Sequence, residues 1–223
     1  MKPNRILIVR HGESKGNINH DVYKDTPDYA VKLTDAGKQQ AFGAGDQIGN
    51  IIQSESYGVY YSPYFRSRQT MDCALTKLDT SLCKFQREEV RLREQEYCGR
   101  LYDGYEKHLL DDARNKYGKF FYRMDGGESG ADVFDRVSDF LSTLNRDFEK
   151  PHYPLNTLIF AHGMTNRIFI MRFFHITVEE FETWKNPHNG QIYVLELQKN
   201  NKYRLLTPIE KHERGYGMTY SDE

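Results

Sequence analysis

Residues 6–14 read Ile6-Leu7-Ile8-Val9-Arg10-His11-Gly12-Glu13-Ser14. The apolar run is the length of a buried strand. It delivers an arginine, a histidine and a glycine at its C-terminal end, and the carboxyl edge of an open α/β sheet is where ligands bind. An imidazole titrating near neutrality is a nucleophile or proton carrier at pH 7. A forked, permanently charged guanidinium suits a phosphate, and Gly12 lets backbone come close to a ligand. The pattern recurs in Leu158-Ile159-Phe160-Ala161 followed by His162-Gly163. There the glycine opens a helical pattern, whose free N–H groups and positive dipole end attract an anion.

Working outward, further strands are predicted over 58–61, 84–90 and 192–197, with a weaker one over 203–206. Helical patterns lie between them. Thr34 caps one that runs to about Ile52, and residues 66–78 form a second. Val133, Phe134, Val137, Phe140, Leu141, Leu144 and Phe148 recur at three- and four-residue steps, the stripe of a long amphipathic helix. Residues 163–174 form another helix, and Thr177 with Glu180 is a capping box for a last one. Strands alternating with helices predict a three-layer α/β sandwich with a mostly parallel central sheet flanked by helices. Residues 1–223 then make a single domain. An insertion at about 100–127, helical over 105–117 and rich in aromatics, breaks the rhythm, and a polar tail occupies about 210–223.

The chain is 38% hydrophobic and 28% charged with a formal net charge of -1. That balance offers no global attraction to nucleic acid or to an anionic membrane, so any anion site must be built locally. No apolar run reaches the roughly 18 residues of a spanning helix. Cys73, Cys83 and Cys98 show neither disulfide nor metal spacing, which points to reduced thiols and a cytoplasmic setting. No cluster of carboxylates is spaced like a magnesium or zinc site.

The strand over 58–61 ends in Ser62-Pro63, and Arg66 then falls near the same sheet edge. Between Glu94 and Glu96 the residues alone make no choice. These blocks, with Asn17, Leu33-Thr34, Gly37, Gln40-Ala41, Gln69-Thr70, Leu92, Gly99 and Gly127-Glu128-Ser129, together resemble the histidine phosphatase (phosphoglycerate mutase-like) superfamily. They fall in that family's order across nearly the whole chain. The resemblance implies a phosphoglycerate mutase-like fold and a phosphohistidine intermediate on His11. Arg10, Arg66 and His162 become the other members of the phosphate pocket, with Asn17 and the N–H of Gly163 as auxiliary contacts. Glu94 becomes the proton donor to the leaving oxygen. Cations and N–H donors stabilise the charge spread over a transferring phosphoryl group, and this scheme uses no metal.

The mutases of the family carry a segment resembling Asn-x-Phe-x-Gly-Trp after the first motif, where this chain has residues 18–25, and an adjacent arginine pair in a longer insertion. Neither is present, which favours a metal-independent phosphomonoesterase without cofactor. The alternatives are a phosphoglycerate mutase dependent on 2,3-bisphosphoglycerate and an inactive binding or scaffold protein. The expected partner is a small phosphorylated metabolite or a phosphoprotein. Exposed aromatics are compatible with a homodimer. Tyr122 and Arg123, just before the Gly-Gly turn, are the first candidates for contacts to the rest of the substrate. Asp132 and Arg136, one helical turn apart, are expected to pair.

Overall fold

Strand β1 (Arg5–Arg10) is buried on both faces, and its alternation sorts the core. Ile6 and Ile8 pack into one apolar cluster, and Leu7 and Val9 into another on the opposite side. The computed structural model describes residues 2–97 and 113–212. Six strands form one sheet: β1, β2 (Tyr57–Tyr61), β3 (Cys83–Glu88), β4 (Asn156–Ala161), β5 (Ile192–Leu197) and β6 (Tyr203–Leu205), in the order β3-β2-β4-β1-β5-β6. The first four run parallel, while β5 and β6 are antiparallel.

The helices cover both faces. On one side lie α3 (Asp35–Ile52) and α4 (Phe65–Leu75), whose Ala44, Ile48, Met71 and Ala74 pack with Leu7, Val9 and Phe160. On the other lie α5 (Gly130–Phe148) and α6 (Gly163–Phe174), whose Val137, Phe140, Leu144 and Ile168 pack with Ile6, Ile8 and Ile159. The stripe read from the sequence, Val133 to Phe148, is the buried face of α5. Two short helices, α1 (Lys15–Ile18) and α2 (Val22–Asp25), follow the first histidine. They are too brief to leave a periodic signal. Among the described residues no helix is long and apolar enough to cross a membrane.

Caps stand where the sequence places them. Thr34 accepts from the Gly37 N–H and Thr177 from the Glu180 N–H. The capping box at Thr177 is only half made. Glu180 turns away to the Trp184 indole and to Lys211, and the helix it opens, α7 (Val178–Glu182), is one turn long. Helix α4 ends at Leu75, three residues early, and β3 stops at Glu88, after which Val90–Leu92 coils into a 3-10 turn. In the expected insertion, 113–117 is helical. The remainder of that expectation, over 98–112, and the end of the tail, over 213–223, lie outside the described residues.

Candidate active site

The register of the parallel strands makes the floor of the site. Arg10 at the end of β1 pairs with Ala161 at the end of β4, so His11 and His162 leave the sheet side by side. Their ring centroids are 5.2 Å apart. Ser62 leaves β2 next to them, held by its N–H to the Phe160 carbonyl. The backbone turn after His11 is fixed by helix packing. The Gly12 N–H donates to Thr70 Oγ1 at 3.0 Å, and a Cβ on Gly12 would overlap the Gly37 carbonyl of α3. The glycine therefore admits a helix, not a ligand as its position first suggests.

Both imidazoles are buried. His11 Nδ1 lies 2.7 Å from the Gly12 carbonyl, which can only accept, so this nitrogen carries the proton and Nε2 keeps its lone pair. Burial, then the Arg66 and Arg10 charges, push the His11 pKa well below its ordinary value, and the ring is neutral. Burial first, then Arg66 and its neighbours, with Arg136 and Arg10 among them, push the His162 pKa down as well. His162 Nε2 meets Ser62 Oγ at 2.7 Å, and its Nδ1 is buried without a partner among the described residues.

Two guanidiniums flank the rings. Arg66 is pinned by Asp28 through carboxylate and carbonyl bonds of 2.8 Å. Burial acts against its charge, but Asp28 and its neighbours outweigh burial and the Arg66 pKa is raised. Arg10 donates to the Pro187 carbonyl, and its Nε is buried without a partner among the described residues. Asn17 is oriented from both sides: its Oδ1 accepts from the Ser14 N–H at 2.9 Å and from Asn189 Nδ2 at 3.2 Å, which leaves its amide N–H groups uncommitted to these partners.

Glu94 sits at the start of α6. Its carboxylate accepts from the N–H of Met164 (3.4 Å) and Thr165 (3.3 Å), and from Thr165 Oγ1 (3.3 Å). The loop carrying it hangs on Arg136, which donates to the carbonyls of Arg91, Arg93 and Glu94. Glu128 holds Arg136 in turn and also takes Arg93 and the Glu96 N–H. Burial alone would raise the Glu128 pKa, but Arg136 with these donors lowers it. The expected Asp132–Arg136 pair is therefore not made. Asp132 closes the capping box of α5 on Ser129 and takes Arg123 instead. An exposed one-turn ion pair is worth about 0.3–0.5 kcal/mol, less than satisfying three carbonyls with a single guanidinium.

Arg10, His11, Asn17, Arg66 and Glu94 line one cavity of about 420 Å³. His162 is fully buried, its ring 5.2 Å from that of His11. Gly163 is not among the residues lining the cavity: it starts α6, and a Cβ there would overlap the Asn186 side-chain amide. Tyr122 and Arg123 do not reach the cavity either. Tyr122 stacks edge-on against Tyr117, and Arg123 is spent on Asp132 at the surface. The remaining lining includes Tyr23, Asp28, Tyr97, Arg114, Arg167 and Asn186. Of these, Arg167 had a usable signal as the charged residue in the middle of an apolar helix. Asp28 opens a 3-10 turn (Asp28–Ala30) and Asn186 sits in a loop, neither with a pattern around it. Among the described residues no group of three or more His, Cys, Asp or Glu side chains is placed to hold a metal ion.

Comparison with known proteins agrees with this fold. The histidine phosphatase superfamily (branch 1) matches residues 6–207. The phosphoglycerate mutase-like protein AT74 of Arabidopsis thaliana is 41% identical over 91% of this chain and 68% of its own length. The broad-range acid phosphatase DET1 of Saccharomyces cerevisiae is 26% identical over 94% of this chain and 90% of its own. Among solved structures, the mycobacterial glucosyl-3-phosphoglycerate phosphatase Rv2419c superposes with a TM-score of 0.68 at 18% identity, covering 91% of this chain and 96% of that one. That likeness is one of fold.

Proposed function

We propose, from the premise that this chain belongs to the histidine phosphatase superfamily, that it is a phosphomonoesterase working through a phosphohistidine on His11. The observation that carries the reading is the pairing of the two rings. A neutral His11 with its Nδ1 proton engaged faces a buried His162 whose Nδ1 is orphaned, beside a cavity holding Arg10 and Arg66. An orphaned buried donor costs free energy until it is bonded, and a phosphoryl oxygen is the partner its neighbours suit. With the Ser62 hydroxyl donating to His162 Nε2, the Nδ1–H of His162 is free to donate.

His11 Nε2 attacks phosphorus in line while the ester P–O bond breaks. Arg10, Arg66, His162 and the Asn17 amide hold the equatorial oxygens as their charge shifts. Glu94 gives its proton to the departing oxygen. In the second step water attacks the phosphohistidine, Glu94 takes the proton from that water, and the P–N bond breaks to regenerate neutral His11. The scheme balances with the arginines carrying the charge that a metal carries elsewhere. Because burial and the arginines keep His11 unprotonated well below its ordinary titration range, the nucleophile persists in acid. That supports activity of the kind named for the yeast acid phosphatase relative.

The test is to trap the intermediate. Wild-type protein quenched in alkali after mixing with a 32P-labelled phosphate ester should carry label that is stable in base and lost in acid. The His11→Asn protein should carry none and show no phosphate release. Label on a different residue, or turnover that survives His11→Asn, overturns the reading. The mutase reading is favoured by the name of the Arabidopsis relative. It predicts isomerisation of 3-phosphoglycerate, primed with 2,3-bisphosphoglycerate, faster than phosphate release.

A further inference from the structure

The segment that runs from the end of β2 into α4 carries the fully buried hydroxyls of Ser62, Ser67 and Thr70. Thr70 Oγ1 donates to the Arg66 carbonyl at 2.7 Å and accepts the Gly12 N–H. Ser67 Oγ donates to the Phe160 carbonyl at 2.9 Å. Both spend their proton on backbone. Ser62 differs. Its Oγ lies 2.7 Å from His162 Nε2 and accepts the Tyr64 N–H at 3.3 Å, and among the described residues it has no other partner.

A hydroxyl has one proton to give. The Tyr64 N–H can only donate, so His162 Nε2 is the acceptor left for the Ser62 proton among the described residues. If Nε2 carried the imidazole proton instead, Ser62 Oγ would face two donors and its own proton would be buried unpaired, which is unfavourable. His162 Nδ1 would then present a lone pair. The surroundings hold the first arrangement. The Ser62 N–H is fixed on the Phe160 carbonyl at 2.9 Å. The Tyr64 ring stands edge-on to His162, with centroids 5.2 Å apart, and carries the Arg66 guanidinium over its face at 5.0 Å. Ser62 and His162 are both fully buried, so bulk water does not compete for their bond.

We infer that Ser62 is a positioning residue: its bond to Nε2 keeps the His162 proton on Nδ1, so that His162 meets a transferring phosphoryl oxygen with a donor and not with a lone pair. The inference rests on the phosphomonoesterase reading and adds to it a residue that does not line the cavity and acts only through His162. No bond of the reaction is made or broken at Ser62. Its effect falls on the equatorial oxygens, whose charge shifts during transfer, and not on the departing oxygen that Glu94 serves.

The experiment reads the proton itself. In protein labelled with 15N-histidine, long-range 1H–15N correlations separate a ring nitrogen that bears hydrogen from one that does not. The His162→Gln protein identifies the His162 signals by their loss. At about pH 7 wild type should show Nδ1 protonated and Nε2 bare. Ser62→Ala should show the proton shared between both nitrogens, and Ser62→Cys, a weaker donor, should fall between. In assays Ser62→Ala should lower kcat by about tenfold or more, toward the roughly 10²–10³-fold loss of a transition-state donor, with KM little changed. The loss should be equal for an alkyl phosphate and p-nitrophenyl phosphate. Ser67→Ala removes a neighbouring hydroxyl that bonds neither ring, and should leave both the nitrogen signals and kcat as in wild type. If Ser62→Ala does not fold, wild type and Ser62→Cys supply the same comparison. A wild-type His162 protonated on Nε2, a Ser62→Ala protein that keeps the proton on Nδ1, or a loss of kcat matched by Ser67→Ala overturns the inference while the hydrolysis reading stands. If wild type hydrolyses no ester, the hydrolysis reading falls, and the nitrogen signals alone decide whether Ser62 sets the His162 proton.

Discussion

The floor and the roof of the cavity are built by different means. The floor is backbone register: β1 beside β4, β2 beside β4, and the residues just beyond each strand end, His11, His162 and Ser62. The roof is a relay of side chains across distant segments. Glu128 grips Arg136, Arg136 gathers the carbonyls of residues 91–94, Gln95 reaches the Glu128 carbonyl, and the Phe120 N–H is tied to Glu182. A floor made from strand order tolerates side-chain change. A roof made from charge-assisted bonds fails when one member is removed.

This contrast explains what could be read in advance. The floor was legible because a strand, its period-two burial and the residue at its end are contiguous in sequence. Ile6 and Ile8 point one way, Leu7 and Val9 the other, and His11 follows. The sequence placed both histidines, Arg10 and Arg66 near one edge of a mostly parallel sheet. The roof was not legible, because its bonds join residues whose separation leaves no period. Asp132 and Arg136 have the spacing of a helical ion pair, but Asp132 caps its own helix on Ser129, and Arg136 is claimed by Glu128 and three carbonyls that only the tertiary fold brings to it. Arg167 was marked only as a charge inside an apolar helix, with nothing in the sequence to say that it lines the cavity. Glu94 is the boundary case, since only resemblance to a family separated it from Glu96.

The largest effect should come where roof meets floor. Glu94→Gln removes the transferable proton and keeps much of the shape. With a poor leaving group such as an alkyl phosphate, kcat/KM should fall by about 10²–10⁴. With p-nitrophenyl phosphate, whose leaving group departs without a proton, the fall should be much smaller. Steady-state assays on both esters check this, and equal losses would remove Glu94 from the proton-donor role.

Breaking the relay itself comes next. Glu128→Gln leaves Arg136, with a side chain 9% exposed, facing an amide in place of a carboxylate. Loss of one partner from a buried ion pair costs about 3–5 kcal/mol. The three carbonyls that still hold Arg136 should bring the loss to the lower end. Urea unfolding measures it, and a change below about 1 kcal/mol would mean that the roof does not depend on this carboxylate.

The floor has its own signature in pH. In the unfolded chain His11 and His162 titrate near 6.5, while burial keeps both neutral in the fold to much lower pH. Below about pH 6.5 the unfolded chain therefore binds more protons, and stability falls as pH is lowered. The slope is at most about 1.4 kcal/mol per pH unit for each ring. Unfolding free energies at about pH 7 and pH 5.5 should show the drop, and His162→Gln should reduce it by roughly half. A flat profile would mean that the rings are not held neutral by the fold.

The smallest effect is expected just outside the relay, at Arg123. Its position before the Gly-Gly turn suggests a substrate contact, yet its guanidinium is spent on Asp132 at 2.6 Å with a side chain 62% exposed. An ion pair this open to water is worth about 0–1 kcal/mol, and the Ser129 cap still holds Asp132 when Arg123 is gone. Arg123→Ala should therefore shift stability by less than about 1 kcal/mol. It should leave kcat/KM within about twofold for singly and doubly anionic esters alike, since 0.4 kcal/mol is roughly a factor of two. A selective loss on the doubly anionic esters would instead put Arg123 at the substrate. The segment over the site would then have to swing far enough to exchange Asp132 for a ligand, and the roof would be a moving part.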